Sequence, residues 1–441
     1  MHALDETHDR DGRSFVASAN QSDCDFPIQN LPFGVFKRRH SQEAFRVGVA
    51  IGDQIFDLSR IKGVFHLDAM EALDACGAPS LNPLMALDPE CWDGLRREIW
   101  RVLRENGETG AREAIGPHLV AMRHAEMKLP VQIGDFTDFY ASVFHAANAG
   151  RLMRPNNPLL PNYKYVPIAY HSRSSSVRVS GVNVRRPRGQ VKPSDADAPS
   201  MEASARLDYE AELGAYIGTP SELGTPIPIG DAARHVFGFS LLNDWSARDL
   251  QVWEYQPLGP FLAKNFASTI APWVVTARAL APYRTCAFVR PEGDPAPLPY
   301  LMDAEDQRLG GLDINIRTFI ATARMRETRE APHRLSSGWF SSSYWTVAQM
   351  VAHHTSNGCN LATGDLLGSG TISGPSRENW GSLLELTHGG ARPLELPNGE
   401  TRSFLEDGDE IILRGRCEKA GAASLGFGEC RAMVLPSPAE T

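Results

Sequence analysis

The chain lacks most of the features that would assign it to a specialised class. Its seven cysteines (Cys24, Cys76, Cys91, Cys286, Cys359, Cys417, Cys430) are scattered, and no two stand in CxxC spacing, which excludes a zinc ribbon or a dithiol redox motif. No apolar run approaches the roughly 20 residues that a membrane-spanning helix needs. The opening MHALDETHDRDGRSF has no basic stretch leading into an apolar one, so no secretory signal is read there. Positive charge is in deficit: 44 Lys and Arg against 53 Asp and Glu give a net charge of −9, which argues against nucleic acid or an anionic membrane as partner. There is no internal repeat. The glycine-rich run GDLLGSGTISG has no Lys-Ser/Thr after it, so it is not a phosphate-binding loop, although its glycines permit close backbone approach to a ligand. These absences leave a soluble, cytoplasmic protein with reduced thiols.

What is present is globular. Hydrophobic content of 42% is enough for a sizeable core, and 441 residues exceed the usual ceiling for one core, so two domains are expected. Residues 1–24, rich in Asp, Ser, Asn and His, read as a poorly ordered tail. From Phe33 the pattern is β-like: Phe45, Val47 and Val49 alternate with polar or small residues, and Gly52-Asp53 offers a turn into QIFDLS. In PECWDGLRREIWRVLRENG, Trp92, Leu95, Ile99 and Val102 form a helical stripe that stops at Asn106-Gly107. A small β-containing domain over 25–125 is expected, with a linker near Glu126 to Pro130. The remainder, 126–441, is built of short β-type runs between Gly/Pro turns, such as AELGAYIG, VFGFSLLN, LDINIRTFI and DEIILRG. The chain is therefore expected to be mainly β, with a sandwich or roll as its larger part. One helix is expected in YWTVAQMVAHHTSNG, with His353 and His354 in its last turn, where the helix dipole favours them.

The candidate chemistry concentrates in NDWSARDLQVWEYQPLGPFLAK. Read as a helix from Asn243, this stretch puts Asp244, Arg248, Gln251 and Tyr255 on one face, with Lys264 just after the proline break. A carboxylate, a guanidinium, an amide and a phenol suit an oxygen-rich anion beside a cation; the same spacing also suits a solvated polar face with Asp244 as cap. In LDYEAELGAYIG, Glu210 and Glu212 are two apart on a β-type run, so both carboxylates point to one face. Like charges so placed repel unless a cation lies between them, and an all-oxygen set suits Ca²⁺ or Mg²⁺. A solvated strand face is the competing reading, and spacing alone does not bring Asp138 or Asp244 to the pair. His145, seven residues after Asp138, is by itself as readily a structural histidine as a base.

Taken together, DFTDFYASVFHAANAG, PNNPLLPNYKYVPIAYHSRSSS, RRPRGQ, LDYEAELGAYIG, LLNDWSARDLQVWEYQPLGPFLAK, HHTSNGCNLATGDLLGSGTISG and GFGEC resemble the fumarylacetoacetase family, and DFPIQNLPFGVF resembles its amino-terminal segment. The likeness runs in order from about Asp25 to Pro436. It implies hydrolysis of a carbon–carbon bond in a diketo acid, an SH3-like amino-terminal β-domain, a mixed β-roll after it, and a homodimer. It further implies Asp138, Glu210, Glu212 and Asp244 as ligands of Ca²⁺ or Mg²⁺, and His145 as the base, oriented by Glu385. Arg248, Gln251 and Lys264 would stabilise the leaving group, while Tyr140, Arg154, Tyr170, Gln251, Tyr255 and Thr371 would contact substrate. A second, structural cation (Mg²⁺) would adjoin Asp244 and Lys264 together with a Thr, for which this chain has Ser268. Rival readings on the same scaffold are an acylpyruvate hydrolase or an oxaloacetate decarboxylase. A catalytically inert metal-binding protein is a third reading.

Overall fold

The computed structural model describes residues 4–439 apart from Arg60, Lys62, Leu67, Asp68, Glu108 and Thr109. Its centre is an eight-stranded sheet, and the strand Val236–Asp244 explains why it is central. The sequence VFGFSLLND has no polar alternation, and all nine residues are buried. A strand of this kind must be covered on both faces. It pairs antiparallel with Ala211–Ile217 on one side and with Ser268–Ile270 on the other. Beyond Ala211–Ile217 the sheet continues through Leu366–Gly368, Phe136–Phe139 and Ala169–His171, and beyond Ser268–Ile270 it ends at Val177–Val179. Two of these pairings are parallel, so the sheet is mixed.

Each face of this sheet belongs to a different core. Leu213, Ala215, Phe239 and Leu241 pack with Ile316, Ile320, Ile411, Leu413 and Phe427 of a second, five-stranded sheet, which gives the expected sandwich. Tyr216, Phe237, Leu242 and Leu366 face the other way. They join the amino-terminal core of Val35, Val47, Val49, Trp92, Leu95 and Ile99. The expected helix is found at Pro89–Leu103, and it sets Trp92 edge-on to Phe237 at 5.1 Å. The chain is thus mainly β, as expected.

Three sequence expectations are corrected here. Residues 4–24 are not a loose tail: Thr7, His8, Ser14, Val16 and Ala19 are buried. Asp5 caps a short turn at Glu6–His8 and accepts from Arg278 at 2.6 Å, while Arg96 donates to Thr7 Oγ1 at 3.0 Å. A few small polar contacts anchor the segment, and composition does not reveal them. The expected linker at Glu126–Pro130 is, through Lys128, a strand: Ala125–Lys128 pairs with Phe33–Arg38 and completes a five-stranded antiparallel sheet. Among the described residues no pairing joins Leu119–Ala121 to Ala125–Lys128, so this sheet is not closed into a barrel by strand pairing. Thirdly, Asp244 opens no helix. It ends the central strand, and after the short strand Ser246–Ala247 the helix runs over Arg248–Glu254. The run that follows Thr346 forms the helix Val347–Thr355, and there His353 and His354 bond the hydroxyls of Tyr300 and Thr137, both at 2.9 Å.

Candidate active site

The central sheet gathers four carboxylates that lie far apart in sequence. Asp138 stands on Phe136–Phe139, Glu212 on Ala211–Ile217 with Glu210 just ahead of it, and Asp244 ends Val236–Asp244. Each can present an oxygen within 4.8 Å of the others, and all four residues are buried. Gly368 leaves the space for this. A Cβ there would stand 2.4 Å from Asp138 Oδ1 and 3.1 Å from Glu212 Oε2.

The charges are only partly matched. Lys264 Nζ donates to Glu210 Oε2 at 2.6 Å and to Asp244 Oδ2 at 3.0 Å. Arg248 Nη1 reaches Glu210 Oε1 at 2.7 Å. Burial opposes ionisation of Glu210, but Lys264 and Arg248 overcome it and hold that carboxyl below the usual range. Tyr170 donates to Asp138 Oδ2 at 3.0 Å and to Asp244 Oδ2 at 2.9 Å, and Ser268 donates to Asp244 Oδ1 at 2.8 Å. The Gly370 amide donates to Asp138 Oδ1 at 3.1 Å. Glu212 is the exception: it is fully buried, and among the described residues neither carboxylate oxygen has a donor apart from the neighbouring Asp138 carboxyl. Burial, then the charge of Asp138, raises its pKa well above the ordinary value. Burial and the charge of Asp244 push Asp138 up to about 8. Asp138 and Glu212 form no ion pair among the described residues.

An oxygen-only donor set that includes the two under-bonded oxygens of Glu212, with surplus carboxylates in a buried interior, fits a hard divalent cation. Lys264 does not fit as a side-chain ligand. Its neighbouring carboxylates, against the opposing effect of burial, raise its pKa above the ordinary value, so it is an ammonium with donors only. Its main-chain carbonyl is the one atom it could offer a cation.

Beside the carboxylates stands a histidine dyad. His145 lies in the first turn of Val143–Met153, whose cap Ser142 accepts from the His145 amide at 3.2 Å. His145 Nδ1 is 2.7 Å from Glu385 Oε2, and Nε2 faces Glu210 Oε1 at 4.0 Å. A carboxylate at Nδ1 favours a proton there, and Nε2 is the ring nitrogen on the side of the acidic cluster. Glu385 also accepts from Asn148, Ser373 and Ser382 at 2.8, 2.9 and 2.9 Å. Burial opposes its ionisation, but His145 and these donors hold its carboxyl below the usual range.

The remaining candidates divide. Gln251 Oε1 accepts from Arg248 at 3.1 Å, and Tyr140 sets its ring edge-on to His145 at 5.4 Å. Thr371 follows Gly370, is buried, and has a free Oγ1. Arg154 caps the His145 helix and donates to Pro158 O at 3.4 Å, with Nε unpartnered. Tyr255 caps Arg248–Glu254, and no described polar contact links it to the carboxylates. Sequence reasoning missed Asn148, Ser373 and Ser382, three small polar residues of no distinctive spacing. It also missed Asp208, the buried partner of Arg248 at 2.8 Å.

Comparison with known proteins agrees with this geometry. Residues 136–435 match the family model described as fumarylacetoacetate (FAA) hydrolase C-terminal, and residues 29–130 match fumarylacetoacetase N-terminal. The chain is 45% identical over 431 residues to a Homo sapiens protein named fumarylacetoacetase, covering 96% of this chain and 99% of that one. It is 47% identical to the Caenorhabditis elegans protein of that name, with the same coverage. The Arabidopsis thaliana protein of that name is 44% identical, over 95% of this chain and 97% of that one.

Proposed function

Because the chain belongs to the fumarylacetoacetate hydrolase family, we propose that it hydrolyses the carbon–carbon bond of fumarylacetoacetate to give fumarate and acetoacetate. The observation that carries this reading is His145 Nε2, 4.0 Å from Glu210 in a cluster of four buried carboxylates, while Glu385 holds Nδ1. A β-diketone offers two ketone oxygens that together chelate one cation. Water must add to one carbonyl, and the carbon between the two carbonyls must then leave with its electron pair. A cation held by Asp138, Glu210, Glu212 and Asp244, either Ca²⁺ or Mg²⁺, would supply Lewis acidity to those oxygens.

His145 Nε2 takes the proton of the attacking water, and Glu385 stabilises the imidazolium that results. The same imidazolium can return the proton to the departing carbon. Arg248 and Lys264, both buried cations, face the charge that develops on the leaving enolate, and Gln251 holds the orientation of Arg248. Arg154, Tyr140, Tyr170 and Thr371 are assigned to substrate contacts, Thr371 and Arg154 on the strength of their unpartnered polar atoms. Tyr255 is assigned there on family likeness alone. A second structural cation, Mg²⁺, is assigned to Asp244, Ser268 and the Lys264 carbonyl.

Purified protein should consume fumarylacetoacetate, read as loss of diketone absorbance, with activity lost on chelation and restored by Ca²⁺ or Mg²⁺. Cation-loaded protein inert on this substrate but active on an acylpyruvate or on oxaloacetate would overturn the substrate assignment.

We also assign a homodimer. Val252, Trp253, Leu258, Phe261 and Leu262 are all exposed within eleven residues, Leu258 by 97%, an apolar density that calls for a cover. Sedimentation should give twice the 48.4 kDa chain mass, and Leu258→Asp with Phe261→Asp should halve it. Monomeric wild type at micromolar concentration would exclude the dimer. The seven free cysteines support a reducing, cytoplasmic setting, and no helix among the described residues is long and apolar enough to cross a membrane.

A further inference from the structure

We infer that Asp208 is a positioning residue that sets both polar arms of the site at once, an inference that rests on the roles proposed above for His145, Glu385 and Arg248. Asp208 lies on the two-residue strand Leu207–Asp208, opposite Ser246, and is fully buried. Its Oδ2 accepts from Arg248 Nε at 2.9 Å and from the Leu384 amide at 3.0 Å, with Arg248 Nη2 at 2.8 Å. Its Oδ1 accepts from the Leu383 amide at 2.8 Å and from the Tyr209 amide at 2.8 Å. Leu383 and Leu384 open the short helix Leu383–Leu386, whose third residue is Glu385.

One carboxylate therefore holds two structures that share no other described hydrogen bond. On one side it fixes the first turn of the helix that carries Glu385, and so the carboxylate that orients His145. On the other it grips one edge of the Arg248 guanidinium. That group is planar and rigid, so fixing Nε and Nη2 also fixes the direction of Nη1, which points to Glu210 Oε1 and Gln251 Oε1. Asp208 touches none of the four clustered carboxylates through a hydrogen bond. Its influence on the reaction runs through the relative placement of the base assembly and of Arg248. A misplacement of about 1 Å in such a set can cost on the order of 10²-fold in rate.

The test uses the cation-loaded full-length protein with fumarylacetoacetate. Asp208→Asn keeps the shape of the side chain but puts an amide NH₂ against donors. It is expected to lower kcat by about 10²-fold with KM changed less than about 3-fold. Cation affinity, read by calorimetric Ca²⁺ titration, should stay at the wild-type value, which separates lost positioning from a damaged fold. Arg248→Gln and Glu385→Gln, each made alone and combined with Asp208→Asn, complete two double-mutant cycles. Adding Asp208→Asn to either should cost less than its effect on wild type, because one of the two residues it acts through is already gone. Full additivity in either cycle, or a kcat for Asp208→Asn within about 3-fold of wild type, overturns the inference. Should the Asn variant not fold, Asp208→Glu keeps the charge while shifting it by one methylene; it should show the same kcat loss at unchanged cation affinity, and wild-type kcat there overturns the inference equally. Wild type inert on fumarylacetoacetate would instead defeat the underlying functional reading.

Discussion

His145→Ala is expected to lower kcat on fumarylacetoacetate by about 10²–10⁴-fold, the range a general base contributes, with cation binding intact. The expectation follows from what the substitution leaves behind. Glu385 loses one partner but keeps Asn148, Ser373 and Ser382, so its buried carboxylate is still satisfied and the fold should hold. The nearest contact from His145 to the acidic cluster is the 4.0 Å approach to Glu210, too long for a hydrogen bond, so the cluster loses no donor. The variant thus removes a proton acceptor and little else. The measurement is turnover by loss of diketone absorbance, beside a Ca²⁺ titration and a thermal melt. A variant that retains near wild-type kcat would move the base elsewhere. A base supplying at most about 10⁴ leaves the cation and the Arg248–Lys264 pair to provide the rest of a typical enhancement of roughly 10⁶ or more.

Glu212→Gln should abolish cation-dependent turnover and yet stabilise the chelated protein. Glu212 is fully buried, and among the described residues neither oxygen has a donor apart from the Asp138 carboxyl. Without a cation it is a liability, which an amide able to donate to a neighbouring carboxylate relieves. The sign in pH is fixed by Asp138 and Glu212, whose folded pKa values are raised, that of Asp138 to about 8. In the unfolded chain both titrate near 4. Between about pH 4 and 8 the folded, chelated protein therefore holds protons that the unfolded chain has released, and its stability falls as pH rises through that window. A bound cation takes the place of those protons. The melting temperature of loaded wild type should exceed that of chelated wild type by a margin that widens from pH 5 to 8. In Glu212→Gln the chelated protein should melt higher than chelated wild type at pH 8, and millimolar Ca²⁺ should add little. A Ca²⁺-dependent rise equal to that of wild type would remove Glu212 from the ligand set.

The sequence made some of this legible and hid the rest for physical reasons. Period-2 spacing revealed that Glu210 and Glu212 share a face, because strand geometry is local. That Asp138 and Asp244 join them depends on sheet order, which places Leu366–Gly368 between Phe136–Phe139 and Ala211–Ile217. No spacing rule encodes that order, and the resemblance to a family supplied it. The helical reading of Asp244 failed because its i, i+4 relation to Arg248 is broken by a strand end and the two-residue strand Ser246–Ala247. Asp208 has the same parity as Glu210 and Glu212 and stood in plain view in LDYEAEL. It went unremarked because its partners, the Leu383 and Leu384 amides, lie some 175 residues away. The order of residues 4–24 was hidden similarly, in single contacts to Arg96 and Arg278.

The double-sided burial of the central sheet bears on how this protein responds to substitution. Tyr216, Phe237, Leu242 and Leu366 lie on the face opposite the sandwich core, and the amino-terminal layer is what keeps water from them. Shortening the chain to its carboxylate-bearing part would leave that face bare and sticky. Lesions in the amino-terminal layer, such as loss of the Trp92 side chain, should then act on the amount of folded protein a cell retains rather than on the rate of each molecule that survives.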